Sequence, residues 1–410
     1  MKNIMIAFVS LVNTNFLNNP LEYKDIQGRP YTSIQTNESA IVYIERMLKK
    51  NSLEKIFLIA SDSVKTKNVP AKTEFGDITH LEFLQRRLLK EFPNFEGKFA
   101  VLDYSDSVDE ITKFDVNILQ VANIADAITN YAKNYPNEEI ILHADMTGGF
   151  RHSSMMMLSI MQLLKYRGIK IGEVIYSDST THTVYKATEI QRMFSLINGA
   201  DEFVKFGSVE ALYEYFGSNP PEPLKSLLSA MKNLSEAIKI CRTGTIENEL
   251  KNLGNHIKTF REHTSKDIKS EIFAKIIDTI ETEYGNLIKD SASRLDIIRW
   301  CMKKGFWQQA MTLCTEWLPE EIVDRGICKP KNLEIAKDAE FDGLSFGRGW
   351  KQHFIIAYQG KRDTSRQQDA AINRFCKELR KLVEELINPF IRAKISSDEY
   401  GTLKNFLMSI

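Results

Sequence analysis

The chain has 410 residues, enough for two or three domains, of which 43% are hydrophobic and 26% are charged. This composition is typical of soluble globular proteins and excludes a chain that is disordered, collagen-like or coiled-coil throughout. Lysine plus arginine and aspartate plus glutamate both number 54, so the formal net charge is zero. Any contact with nucleic acid must therefore come from local patches. No apolar run approaches the roughly 18 residues that span a bilayer, so we expect no membrane segment.

The first 190 residues or so alternate apolar runs with amphipathic patterns. Strands are predicted at residues 3–10, 55–61, 98–104 and 138–147. Helices are predicted at residues 38–50, 80–92, 117–134 and 150–168. Continuous apolar strands between helices indicate a parallel sheet covered on both faces. The sequence thus predicts an α/β Rossmann-like domain over residues 1–190, closed by a hairpin at 172–178 and 182–188.

The rest of the chain has the periodicity of helices. They are predicted at residues 226–242, 270–289, 294–304, 307–318 and 373–390. The run Pro220-Pro221-Glu222-Pro223 cannot continue a helix and marks a boundary. We expect a connecting helix and linker at 191–223 and an all-α domain at 224–410.

Cysteine usage bears on the compartment. The chain has five cysteines, an odd number, and none of them forms a Cys-x-x-Cys motif. This argues against a disulfide framework and against a zinc ribbon. We therefore expect a cytoplasmic protein. The cysteines are Cys241, Cys301, Cys314, Cys328 and Cys376.

The most informative segment follows the fourth predicted strand. Ligands of doubly wound sheets bind at the carboxyl ends of the strands, and the free amides of a helix start attract phosphate. Two glycines allow close approach of a backbone to a ligand, and Asp145 would orient the loop by accepting backbone amides. The alternative is a capped helix start that binds nothing. The segment is Asp145, Met146, Thr147, Gly148, Gly149, Phe150, Arg151 and His152.

Two further polar loops are expected at the same edge of the sheet. Ser10, Asn13 and Thr14 follow the first strand, and residues 61–63 (Ser-Asp-Ser) end the second. Three converging polar loops favour a binding site over plain connections.

One stretch resembles the CARF domain of CRISPR-associated proteins. It consists of a strand, the motif Asp-x-Thr-x-Gly-Phe-Arg-His at residues 145–152, and a Met/Leu-rich helix. The resemblance covers roughly residues 1–190. It implies a homodimer that binds a cyclic oligoadenylate, with cyclic tetra-adenylate favoured over cyclic hexa-adenylate. It places Ser10, Asn13 and Thr14 in the first ligand loop, and Asp145 with residues 147–152 in the second. It also leaves open a slow cleavage of the ring nucleotide by this domain.

CARF domains are usually fused to an effector. A helical effector in this family is most often a HEPN ribonuclease, whose motif is an arginine followed by a histidine after four to six residues. Residues 348–353 read Arg-Gly-Trp-Lys-Gln-His. Of the three histidines in the helical half, only His353 has an arginine at that distance. The resemblance therefore implies that Arg348 and His353 are catalytic, with two such pairs meeting across a dimer.

The residue types suit RNA cleavage. The 2′-hydroxyl of RNA is the nucleophile, histidine can move protons near neutral pH, and arginine stabilises the charged phosphorane. No metal or other cofactor is expected. Two alternatives stay open: a sensor without catalysis, whose helical domain binds nucleic acid or protein, and a metal-dependent nuclease, for which the helical half shows no acidic motif.

Overall fold

The computed structural model describes residues 1–49, 52–104, 113–149, 152–217, 219–263, 267–289 and 291–324. The chain divides into two compact units, Met1–Phe194 and a second that begins at Ser195. Among the described residues, no helix combines the length and the apolar character needed to cross a bilayer.

The first unit is built on a six-stranded sheet. Its strands are β1 (Lys2–Phe8), β4 (Leu53–Ser61), β5 (Phe99–Tyr104), β6 (Ile140–Asp145), β7 (Lys170–Asp178) and β8 (Thr183–Lys186). A separate hairpin is formed by β2 (Leu21–Lys24) and β3 (Pro30–Ser33). The sheet order is β5-β4-β1-β6-β7-β8. All neighbours are parallel except β7 and β8. The Rossmann-like parallel sheet predicted from the apolar runs is therefore present, and the antiparallel pair of β7 and β8 at its edge makes the whole sheet mixed.

Helices cover both faces of this sheet. They are α1 (Thr36–Leu48), α2 (Asp62–Thr66), α3 (His80–Glu91), α4 (Lys113–Lys133) and α5 (Ser153–Tyr166). Alternate residues of the central strand point to opposite faces. Met5 packs with α1 and α3, whereas Ile4 and Ile6 pack with α4 and α5. Burial on both faces is the reason that β1 reads as a continuous apolar run.

Four predicted strands and four predicted helices match observed ones to within a few residues. Gly168 adopts φ +86° directly after Arg167, the C-cap residue of α5, as expected of glycine at that position. The hairpin of β2 and β3 was not predicted. Its strands have four residues each, and only one side of each is buried.

The second unit is helical in its described part. It contains most of α6 (Thr188–Phe206), followed by α7 (Glu210–Phe216), α8 (Leu224–Lys239), α9 (Ile246–Glu262), α10 (Ile268–Tyr284), α11 (Arg294–Lys304) and α12 (Trp307–Asp324). Residues of all seven helices share one apolar core. Leu196 and Phe203 are fully buried in it, so the segment predicted as a connection contributes to the core of this unit. The predicted helix at 373–390 lies outside the described residues.

Candidate ligand-binding site

The candidate site lies at the carboxyl ends of β1 and β6. These neighbouring strands continue to helices on opposite faces, because α1 packs on one side of the sheet and α5 on the other. The backbone therefore diverges at this point, and doubly wound sheets bind their ligands in the crevice at such a point. The two loops singled out in the sequence flank this crevice.

Asn37 joins the two loops. Its Oδ1 accepts hydrogen bonds from the Ser10 amide at 2.8 Å and from the Ser10 hydroxyl at 2.7 Å. Its Nδ2 donates to Oδ2 of Asp145 at 2.6 Å. The Asn37 side chain is fully buried in the first turn of α1. A single amide thus fixes the end of β1 against the end of β6.

Asp145 also holds its own loop. Its Oδ1 accepts the Thr147 amide at 2.9 Å, which is the bond expected of it from the sequence. Burial raises the pKa of the Asp145 carboxyl to about 6, although hydrogen bonds from Thr147 and Asn37 act in the opposite direction. The carboxylate is therefore mostly ionised at neutral pH, and it is held by backbone and amide donors inside the protein.

Thr147 reaches the next strand. Its hydroxyl oxygen accepts the amide of Ser177, near the end of β7, at 2.7 Å. The Thr147 side chain is half-buried, and its hydroxyl also donates a hydrogen bond to the Asp145 carboxylate, which acts to lower the pKa of that carboxyl. The loop is therefore fixed on both sides, to β7 through Ser177 and to the end of β6 through Asp145.

The two glycines have different physical roles. A Cβ at Gly148 would overlap the Phe8 carbonyl oxygen and the Asn37 amide, so only glycine lets this loop close on β1. Gly149 has φ +86°, a left-handed conformation that favours glycine. Gly148 is thus required by packing within the protein.

Three buried polar side-chain atoms beside these loops have no hydrogen-bond partner among the residues that the structure describes. They are Gln35 Oε1, Ser153 Oγ and Ser177 Oγ. Each belongs to a residue that adjoins one of the loops: Gln35 donates to the Ser10 carbonyl at 2.8 Å, and Ser153 is the first residue of α5. Buried polar groups are nearly always satisfied, so this group of atoms fits a site that a polar ligand or water completes. Sequence analysis did not find any of the three.

The remaining predicted ligand residues are in varied surroundings. Asn13 is exposed, and its Oδ1 accepts the Asn15 amide at 3.1 Å, which starts a short 3-10 turn at Thr14. His152 precedes α5, and its Nε2 contacts the hydroxyl of Tyr104 at the end of β5. Phe150 and Arg151 lie outside the described residues, as do the predicted catalytic residues Arg348 and His353.

The third polar loop is closed by ion pairs. Lys65 contacts both Asp62 at 3.0 Å and Asp103 at 2.7 Å, so one lysine is shared by two carboxylates at the ends of β4 and β5. In the part of the chain that the structure describes, no three histidine, cysteine or acidic side chains form a group that could hold a metal ion.

The comparison with protein families concerns the second unit. Residues 192–291 match the family model described as CRISPR-associated protein MJ1674, second domain. This segment belongs to a CRISPR-associated domain family. The CRISPR-associated segment runs from α6 through α10 and contains a polar groove of about 210 Å³ between α8 and α9, lined in part by His256 and Asn252. No curated protein matches the chain.

Proposed function

We propose that the chain is a type III CRISPR effector, a ribonuclease that a cyclic oligoadenylate activates through the first unit. The observation that carries the proposal is the set of unpartnered polar atoms at the crevice between β1 and β6, where doubly wound sheets bind nucleotides. The CRISPR-associated segment in the second unit gives this crevice a functional context.

The chemistry of the crevice suits a phosphate-bearing ring. Helix α5 begins at Ser153, with His152 as its N-cap residue, and its first turn carries no acidic side chain. The amides of that turn carry a partial positive charge and attract anions. The buried Asp145 carboxylate is hydrogen-bonded to Asn37 and Thr147, so its charge is directed into the protein. A cyclic oligoadenylate would then receive a donor from the Ser153 hydroxyl.

The catalytic part of the proposal depends on Arg348 and His353. In a homodimer, two such pairs would act on one single-stranded RNA. His353 would transfer protons to and from the 2′-hydroxyl and the leaving 5′-oxygen, and Arg348 would stabilise the charged phosphorane. Cleavage would need no metal and would leave a 2′,3′-cyclic phosphate or a 3′-phosphate.

The deciding experiment measures cleavage of a fluorogenic single-stranded RNA by the full chain in EDTA. Cyclic tri-, tetra- and hexa-adenylate are added separately, with His353→Ala and Arg348→Ala in parallel. We expect cleavage with one ring, with cyclic tetra-adenylate favoured, and its loss in both variants.

Other outcomes would contradict parts of the proposal. If a ring binds but no RNA is cleaved, the chain is a sensor whose helical unit binds nucleic acid or protein. If cleavage survives in His353→Ala, the catalytic residue lies elsewhere. If no ring binds, the ligand assignment of the first unit is wrong.

A further inference from the structure

We propose that His80 is a positioning residue of the ligand site, because its imidazole holds the loop that follows β1 in its binding conformation. The role in ligand affinity rests on the proposed function. The sequence gives no indication of it, since His80 lies 68 residues from its partner in the loop.

The contact is a buried hydrogen bond to the backbone. The Val12 amide donates to Nδ1 of His80 at 2.9 Å, and both residues are buried. His80 is the first residue of α3, which begins with reciprocal hydrogen bonds between Thr79 and Glu82. The helix start is therefore fixed, and the imidazole is held at a defined position against the loop.

The side chain of Val12 strengthens the same attachment. It packs in a small apolar cluster with Ile34, Val69, Ile78 and Phe83. On either side of Val12, the side chains of Leu11 and Asn13 are exposed. The loop is thus held at Ser10 by Asn37 and at Val12 by His80, with exposed residues between and beyond these points. A loop fixed in this way binds a ligand without a large cost of ordering.

The hydrogen bond requires one protonation state. Nδ1 can accept the Val12 amide only when it carries no proton, so the ring is neutral with its proton on Nε2. Burial, together with the positive charge of Lys67, lowers the pKa of His80 below 6.5. Protonation in acid would place two N–H donors against each other and release the loop. Asp145 is a second titrating group that acts on this loop, through its hydrogen bond with Asn37.

The test compares two substitutions at this position. Asparagine can place an acceptor, Oδ1, close to the position of Nδ1, and it does not titrate, whereas leucine removes the acceptor. We expect His80→Asn to bind cyclic tetra-adenylate within about threefold of wild type at neutral pH, and His80→Leu to bind about tenfold more weakly. His263→Leu, a change at an exposed histidine of the second unit, serves as the control. Calorimetry from about pH 5 to 8 gives the affinities, with cyclic tri- and hexa-adenylate as further ligands.

The pH profile separates positioning from packing. Wild type should lose more affinity in acid than His80→Asn does, because only wild type has a ring that protonates here. Asp145 titrates in both proteins and cancels in the comparison. Equal affinities for wild type and His80→Leu, equal losses in both His80 variants, or parallel pH profiles for wild type and His80→Asn would each overturn the inference.

A second measurement needs no ligand. Hydrogen exchange of a peptide covering residues 10–17 should be faster in His80→Leu than in wild type, and close to wild type in His80→Asn. If no ring binds to wild type, the proposed function fails and this exchange result alone decides whether His80 positions the loop. Unchanged exchange in His80→Leu would then overturn the inference.

Discussion

Replacing Asn37 by alanine should loosen the edge of the sheet where the candidate site lies. The substitution removes two hydrogen bonds from Ser10 and one to the buried Asp145 carboxylate. Leaving a buried donor without a partner costs about 1 kcal/mol, and removing a donor from a buried charged acceptor costs about 2 kcal/mol. The expected loss is therefore about 3 kcal/mol, or roughly a hundredfold increase in the opening of this edge.

Hydrogen exchange measured by mass spectrometry on the full chain is the suitable assay. Tryptophan fluorescence cannot report on the first unit, because all four tryptophans follow residue 194. Peptides from β1 and β6 should exchange about a hundredfold faster in Asn37→Ala. Peptides from α8 and α9 serve as the internal reference and should be unchanged.

Asn37→Asp is the matched control. An aspartate has nearly the same shape and can accept both bonds from Ser10, but its contact with Asp145 requires a shared proton. Two adjacent carboxyls raise the pKa of one of them in the folded state. Stability that depends on this proton is present at low pH and is lost as the pH rises through the raised pKa. Asn37→Asp should therefore approach wild type near pH 5 and fall below it near pH 8.

Two results would refute this reasoning. Unchanged exchange of β1 and β6 peptides in Asn37→Ala would show that the amide does not hold the two strands together. A pH-independent Asn37→Asp variant would show that Asp145 and residue 37 do not share a proton.

Three further predictions concern the same unit. Burial lowers the pKa of His143 to about 4, so the free energy of unfolding should fall by about 3 kcal/mol as the pH falls from 6.5 to 4. Calorimetric melting should show this pH dependence in wild type and not in His143→Asn. Gly148→Ala should lower the melting temperature of the first unit and abolish ring binding, because the backbone atoms of Phe8 cannot move away from the new Cβ. A variant that melts and binds like wild type would contradict the packing argument. Ser153→Ala and Ser177→Ala should change stability by less than about 1 kcal/mol, because neither hydroxyl has a partner among the described residues, yet each should weaken ring binding severalfold. Wild-type affinity in both variants would remove these hydroxyls from the site.

Sequence patterns were sufficient for the sheet and its covering helices. The apolar runs of β1 and β6 identify strands buried on both faces, and the polar loops after them mark the carboxyl edge. The prediction that Asp145 orients its loop also followed from its place after a strand, because that bond is local. The hairpin of β2 and β3 escaped detection, since four-residue strands with one buried side resemble an ordinary polar loop.

The tertiary structure alone decided which side chains complete the site. Asn37 is polar and lies in a helix, and its sequence context does not show that it bonds to Asp145, 108 residues later. His80 reaches the first loop only because α3 begins beside it, and Gly148 is needed because the end of β1 lies against it. Local patterns report how each segment meets the core, whereas these contacts depend on which segments the sheet order brings together. The sequence by itself therefore determined the α/β framework and the edge at which to look, and long-range packing determined how that edge is held.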